Sequence, residues 1–331
     1  SFTDRQSEYV RRNLNAVYAY AWQNIKNTKS YTFNLIDVSL IDTDIVQDSD
    51  FNNQLQDLLL QGNTLAFSFN RSFVSSTSFS ATYNFDYGNT ESPSTFLRFF
   101  LESGGPIYDV LGRGLLENND LENYQFYKAQ LDYRKHVPLG SNKALAFRVN
   151  TGIADPYSGN NALPYEKYFF TGGSSSNRAW NPRRLGPGSS FPYQLDGVGN
   201  NVLENGELVP NRTGADSYLF EQPGEVLLEL NAEYRAKISG LLDWAFFIDA
   251  GNIWNALDNI KDPKQRFDGI EDLSEIAIGT GFGLRYDFDY FVFRLDSGFK
   301  TYDPSQIKAN RWGNQISFGR TVFNIGINYP F

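Results

Sequence analysis

Apolar and polar side chains alternate with a period of two along most of this chain, and that pattern restricts its fold more than any other feature. In residues 276–288, isoleucine, threonine, leucine and aromatic residues occupy every second position. An amphipathic helix would bring apolar residues back at the third and fourth positions instead. The alternation therefore predicts β-strands. We expect them near residues 14–25, 30–42, 64–75, 77–88, 94–104, 124–138, 143–155, 226–236, 242–249, 276–288, 291–296 and 323–331, which makes twelve.

Two kinds of β fold are compatible with this pattern, and strand length separates them. In residues 226–236, Glu229, Glu233 and Arg235 alternate with leucine, alanine and tyrosine. The charged face would contact water in a soluble sandwich, and a wet interior in a membrane barrel whose apolar face contacts lipid. Strands of globular proteins have about 5–6 residues, whereas membrane strands need about 9–11. These segments run to the longer length, so we predict an all-β fold, a transmembrane antiparallel β-barrel.

The composition excludes several classes of protein. The net charge of −9 in 331 residues argues against a nucleic-acid binder, and a hydrophobic content of 41% argues against disorder. Cysteine is absent and His136 is the only histidine, which excludes thiol catalysis, disulfides and a cysteine or multi-histidine metal site. No two carboxylates are placed as a catalytic acid and base. We therefore predict no catalytic, cofactor or metal site, and no enzyme activity.

One long connection interrupts the strands. Residues 157–222 are rich in glycine, proline, serine and asparagine, and connections of this length are usually functional or disordered. They contain Gly172-Gly173, then Arg178-Ala179-Trp180, then Gly186-Pro187-Gly188. Further motifs follow in residues 247–254 and 281–287, in Arg294-Leu295-Asp296, in Asp303-Pro304 and in an aromatic last segment that ends at Phe331.

In this order and spacing, the motifs resemble the signature of the BamA/TamA superfamily of outer-membrane assembly barrels. The resemblance covers residues 124–331 well and the first hundred residues poorly. Ala179 is a departure from it, because glycine is the commonest residue at that place. Asp303-Pro304 and Arg294-Leu295-Asp296 are more similar to the TamA-like branch than to the BamA branch.

The resemblance implies a barrel of sixteen strands, an even number as in other bacterial barrels, preceded by periplasmic POTRA domains. We identify twelve strands and no POTRA domain, so we expect residues 1–331 to be the C-terminal, barrel-forming part of a longer protein. A genuine small barrel is the alternative. The resemblance further implies that residues 157–222 fold into the lumen with Arg178 at the tip of the loop. The rest of that loop motif consists of Gly172, Gly173, Ala179 and Trp180.

A buried Arg178 would need a partner, because an unpaired buried charge is costly. Asp249 and Glu233 lie on the inward side of neighbouring predicted strands, and the planar guanidinium group suits carboxylates. We therefore expect Arg178 to bond to Asp249, Glu233 or both.

The last predicted strand is the second candidate site. Its apolar row would face lipid in any membrane barrel; the row consists of Phe323, Ile325, Ile327, Tyr329 and Phe331. In the assembly superfamily the first and last strands pair weakly and can open sideways. An open strand edge offers unpaired backbone groups, so a client strand can pair with it.

The first functional hypothesis is therefore an integral protein of the bacterial outer membrane that inserts or exports other proteins through this lateral seam. Its implied partners are outer-membrane lipid or lipopolysaccharide, unfolded outer-membrane protein clients and a periplasm-spanning TamB-like protein, without nucleic acid or cofactor. Two alternatives remain open. One is a transport pore gated by the loop, and the other is a structural barrel subunit of a larger envelope complex.

Overall fold

The structure is a computed structural model that describes most of the chain. The described residues are 2–5, 9–26, 28–47, 52, 55, 69–86, 92–105, 121–157, 162–191, 203–204, 207–208, 221–256, 262–288, 290–306, 308–313 and 316–331. They form fifteen strands: β1 Phe2–Arg5, β2 Tyr9–Gln23, β3 Lys29–Ile45, β4 Ser72–Phe85, β5 Ser94–Gly104, β6 Glu122–Asn123, β7 Phe126–Pro138, β8 Lys143–Pro156, β9 Leu203–Glu204, β10 Glu207–Leu208, β11 Val226–Ser239, β12 Leu242–Trp254, β13 Ala277–Asp287, β14 Val292–Tyr302 and β15 Val322–Ile327.

Within the described ranges, the helices whose bounds are defined are all short. Turns of 3-10 helix lie at Tyr165–Lys167, Pro263–Gln265, Ile270–Glu275, Lys308–Asn310 and Phe318–Arg320. In the described part of the chain, no helix has the length and apolar character needed to cross a membrane.

Twelve strands build one antiparallel sheet, and each pairs with the next in the order β1-β2-β3-β4-β5-β7-β8-β11-β12-β13-β14-β15. Of the rest, β6 runs parallel to β4, and β9 and β10 form a separate two-stranded sheet. Between residues 9 and 302, each main strand has 11 to 17 residues. The predicted all-β antiparallel architecture with long strands is therefore confirmed. Among the described residues β1 pairs only with β2 and β15 only with β14, so the sheet is open and sixteen strands stay a prediction.

Three of the predicted strands are wrong in their bounds. The separate strands predicted at 64–75 and 77–88 are one strand, β4, which pairs without a break with β5; residues 64–68 lie outside the described part. A run of small serine and threonine side chains had masked the period, because such residues fit either face of a sheet. The last strand ends at Ile327 rather than Phe331. Asn328 takes the left-handed conformation, with φ of 67°, and turns the chain out of the sheet.

The two faces of the sheet differ as the alternation predicts. We call the inner face the one on which residues 162–191 pack, and the outer face the opposite one. Outer-face side chains on the later strands are large, apolar and exposed; examples are Leu230, Ile248, Phe282, Leu284, Phe293 and Leu295. On the inner face, one end of residues 162–191 is held by a buried apolar cluster that includes Phe126, Leu163, Phe169, Leu227 and Ile253. This cluster anchors the loop to the sheet.

Replacing Phe126 by alanine should destabilise the protein through this cluster. The side chain is fully buried, and removing a buried phenylalanine typically costs about 3–5 kcal/mol, since a cavity remains. Urea unfolding of the refolded protein would measure the loss. Phe318→Ala, at an exposed position, is the matched control and should change the unfolding free energy by less than about 0.5 kcal/mol. Equal effects of the two variants would contradict this description of the core.

Candidate functional site

The loop motif forms a compact turn on the inner face. Gly172 and Gly173 have φ of 97° and 100°, a conformation that favours glycine. A Cβ atom on Gly172 would lie 2.4 Å from the Asn181 carbonyl oxygen, so a side chain has no room there. The Gly173 amide donates to the carbonyl oxygen of Trp180 at 2.9 Å, which closes the turn. Both ends of the motif are thereby held together, and Arg178 lies at the tip.

Arg178 is fully buried and bonds to both carboxylates expected from the sequence. Its Nε and Nη2 atoms donate to the two oxygens of Asp249 at 2.8 and 2.9 Å, which is the bidentate geometry. Its Nη1 atom donates to Glu233. The Arg178 backbone amide adds a third bond to Asp249, at 3.0 Å. The loop tip is therefore fixed to β11 and β12 at once.

The two carboxylates belong to a larger buried ion cluster. Besides Arg178, Glu233 accepts from Arg235 Nε at 2.8 Å and from Arg285 Nη2 at 3.1 Å. Arg285 and Arg294 also donate to Asp296 at 2.5 and 2.7 Å, and Asp296 lies 3.8 Å from Arg178. All members are at least nine-tenths buried, so each charge depends on its partners. We call this group the ion cluster: Arg178, Glu233, Arg235, Asp249, Arg285, Arg294 and Asp296.

Sequence reasoning missed most of this cluster. Arg285, Arg294 and Asp296 had been noted as motif residues of the resemblance, but not as partners of Arg178. A usable signal was present, because all three lie on the inward side of their strands. Alternation assigns a face, however, and does not tell which side chains on that face meet.

Glycines on β13 and β14 make room for the loop tip. A Cβ atom on Gly298 would lie 2.3 Å from the Arg178 carbonyl oxygen, and one on Gly279 would lie 2.6 Å from the Cβ of Ala179. Gly281 likewise makes room for the ring of Phe247, whose centroid lies 3.5 Å from the Arg178 Cζ atom. Ala179, the departure from the commonest motif, fits because its methyl group lies against a glycine.

Polar contacts from β11 hold Ser176, two residues before the tip. Ser176 donates its hydroxyl to Glu229 on β11, and the side-chain amide of Asn231 donates to the Ser176 carbonyl oxygen at 2.9 Å. The same Asn231 amide group donates to Asp249 at 2.9 Å. The loop backbone and the ion cluster therefore share partners.

A second anchor lies where the loop leaves the sheet. The Nδ2 atom of Asn252 donates to the Gly188 carbonyl oxygen at 2.8 Å. Glu275, in the connection between β12 and β13, accepts from the Ser189 hydroxyl and from Trp254 Nε1. Burial raises the pKa of Glu275 above its ordinary value, although these hydrogen bonds oppose the shift. Trp180, the last residue of the loop motif, packs with Leu185 and Ala277 between the two anchors.

The five residues predicted for the seam separate into two groups. Phe323, Ile325 and Ile327 lie on the outer face with 57%, 69% and 69% of their surface exposed. The prediction that this lipid-facing row continues to the end of the chain is wrong for Tyr329 and Phe331. Tyr329 lies against Arg235, whose Cζ atom is 4.0 Å from the ring centroid, and Phe331 is buried. The turn at Asn328 directs both rings towards the ion cluster.

Fold and sequence together identify the class of protein. Residues 11–328 match the Omp85 superfamily domain. The chain therefore belongs to the Omp85 superfamily, which confirms the resemblance at that level, whereas the TamA-like branch stays a prediction.

Two solved structures are similar to the chain. The crystal structure of BamA from Haemophilus ducreyi lacking POTRA domains 1–3 matches it with a TM-score of 0.55 and 15% identity, over 92% of this chain and 54% of that one. CdiB from Escherichia coli matches with a TM-score of 0.46 and 13% identity, over 90% and 44% of the two chains. The chain thus spans about half the length of the BamA structure, whose fold it shares.

The ion cluster and the second anchor hold residues 162–191 on the inner face. Within the described ranges, no group of three or more histidine, cysteine or acidic residues is arranged to hold a metal ion. The carboxylates of the ion cluster accept hydrogen bonds from guanidinium groups, which carry donors and no acceptor.

Replacing Arg178 by alanine should release the loop. Removing one partner of a buried ion pair typically costs about 3–5 kcal/mol, since the other charges remain buried. We expect faster cleavage within residues 162–191 by added protease and a lower unfolding free energy. Arg178→Lys should restore little of the protection from protease or of the unfolding free energy, because lysine cannot form the bidentate bond.

Arg183→Ala is the matched control for this experiment. Arg183 lies on the same loop and pairs with Glu221, but 47% of its side chain is exposed. An exposed ion pair contributes about 0–1 kcal/mol, so the loop should remain protected. Equal protease sensitivity of the two variants would contradict a specific role of Arg178.

Proposed function

We propose that the chain is the barrel-forming part of an integral protein of the bacterial outer membrane that inserts or exports client proteins. Membership of the Omp85 superfamily supports the location and the general activity. The long strands and the exposed apolar outer face suit a lipid environment.

The observation that carries the proposal is the edge of β15. This strand has only six residues, and among the described residues it pairs with β14 alone. Its other edge presents unpaired N–H and C=O groups, which can template another strand. A strand cannot enter lipid with its backbone groups unsatisfied, so pairing at this edge would lower the barrier to insertion.

In this mechanism the first and last strands of the barrel form a weak seam. The client strand pairs at the β15 edge, and its own apolar face then contacts lipid. No covalent bond is made or broken, so the protein acts without enzyme chemistry. Its protein partners would be unfolded outer-membrane proteins and a periplasm-spanning TamB-like protein. Outer-membrane lipid or lipopolysaccharide would surround the barrel.

A second candidate is a transport pore gated by the loop. Residues 162–191 cover the inner face and are anchored on it by the ion cluster and by Asn252. A loop in this position would narrow a channel. A structural barrel subunit of a larger envelope complex is the third candidate, and no contact favours it specifically.

A photo-crosslinker at Ile325 of the full-length protein, in cells, tests the proposal. We expect it to capture incompletely folded outer-membrane proteins, since the side chain lies exposed on β15. The matched control is a crosslinker at Leu284, exposed on the same outer face but in the paired strand β13, which should capture lipid alone.

Other results would change the conclusion. Crosslinks from Ile325 only to lipid or to the protein's own first strand would indicate a closed seam. Ion conductance that rises on deletion of the loop would favour the pore. Copurification with one fixed partner, without effect on other barrels, would favour the structural subunit.

A further inference from the structure

The inner side of β15 carries one buried polar side chain, that of Asn324. Its neighbours on this face are Val322 and Gly326, and Asn324 is only 7% exposed. Its Nδ2 atom donates to the backbone carbonyl oxygen of Arg178 at 2.9 Å. The last strand is thus bonded directly to the tip of the loop.

Arg178 therefore connects two parts of the sheet. Its side chain is bonded to β11 and β12, and its carbonyl group is bonded to β15. The strand between, β14, passes beneath this carbonyl at Gly298, where a Cβ atom would lie 2.3 Å from the oxygen. Only a residue without a side chain lets the carbonyl group reach across to Asn324.

This bond matters because, among the described residues, β15 is paired with a neighbouring strand on one side only. The strand has six residues, whereas β12 has 13 and is paired on both sides. Beyond the strand, the Asn328 amide donates to the Val292 carbonyl oxygen on β14 at 2.6 Å, and the contacts of Tyr329 and the burial of Phe331 continue the attachment on the inner face. The position of β15 therefore depends on inner-face contacts more than that of any fully paired strand.

We propose that Asn324 is a positioning residue through which the seated loop tip sets the position of β15. The ion cluster fixes Arg178, the Arg178 carbonyl fixes Asn324, and Asn324 fixes the strand. The positioning of β15 does not itself depend on the proposed function. Its biological role does, because β15 is the strand whose edge would receive the client.

Hydrogen–deuterium exchange of the full-length protein tests the inference. Asn324→Leu keeps a similar volume but removes the donor, and it leaves the Arg178 carbonyl group unpaired. We expect the amides of residues 322–327 to exchange about fivefold faster, the factor that the loss of one hydrogen bond of typical strength gives. Amides of β12 should not change, whereas a general loss of stability would accelerate both regions.

Two further variants keep the test decisive. Phe323→Leu is the matched control on the same strand, because that side chain lies on the outer face away from the loop; it should leave exchange unchanged. Asn324→Ser retains a shorter donor and should give an intermediate rate, and it replaces Asn324→Leu if the latter does not fold. Exchange in β15 that is equal in the parent and in the Asn324 variants would overturn the inference.

The same variants separate this inference from the proposed function. Client capture by the crosslinker at Ile325 should fall in Asn324→Leu, because the strand edge is no longer held in one place. If the parent captures clients and the variant neither captures fewer nor exchanges faster, the inference fails and the function stands. If β15 exchanges faster but even the parent captures nothing, the inference stands and the function fails.

Discussion

The bidentate bond between Arg178 and Asp249 is the interaction on which the inner face depends. A buried guanidinium group and a buried carboxylate are each unfavourable alone, so neither the loop nor the strands can adopt this arrangement without the other. Asp249 pairs in register with Asn231 on β11, which also bonds to the loop. A slip of one residue in that register would turn the acidic side chains to the outer face. Loop position and strand register are therefore mutually determined.

The loop can approach the sheet closely because β13 and β14 carry glycine where they meet it. Gly279 and Gly298 carry no side chain at the two places where the loop backbone contacts β13 and β14. In an ordinary strand such glycines would only weaken the sheet. Here Gly298 allows the carbonyl of Arg178 to reach Asn324 and Gly279 makes room for Ala179. A local cost in strand stability is therefore offset by contacts across several strands.

These contacts give the proposed function a physical basis. The edge strand β15, which among the described residues pairs with β14 alone, also bonds to the buried loop tip. The turn at Asn328 then directs Tyr329 and Phe331 inward instead of along the outer row. An edge that must receive another strand needs to be open but held in place. In the proposed mechanism, inner-face bonds would hold the β15 edge in place without pairing the edge itself.

By itself, the sequence determined most of the strands and their two faces, because period-two alternation is a local property. The partners expected for Arg178 depended in addition on the burial of the loop tip, which the family resemblance implied. It did not show that residues 72–85 form one strand, since serine fits either face. Nor did it show that β15 stops at Ile327, where Asn328 takes a left-handed conformation and turns the chain out of the sheet. Nor did it show that Arg285, Asp296 and Asn324 meet the loop. Only the tertiary structure decided those contacts, because alternation assigns a residue to a face, whereas chain packing decides which residues on that face touch.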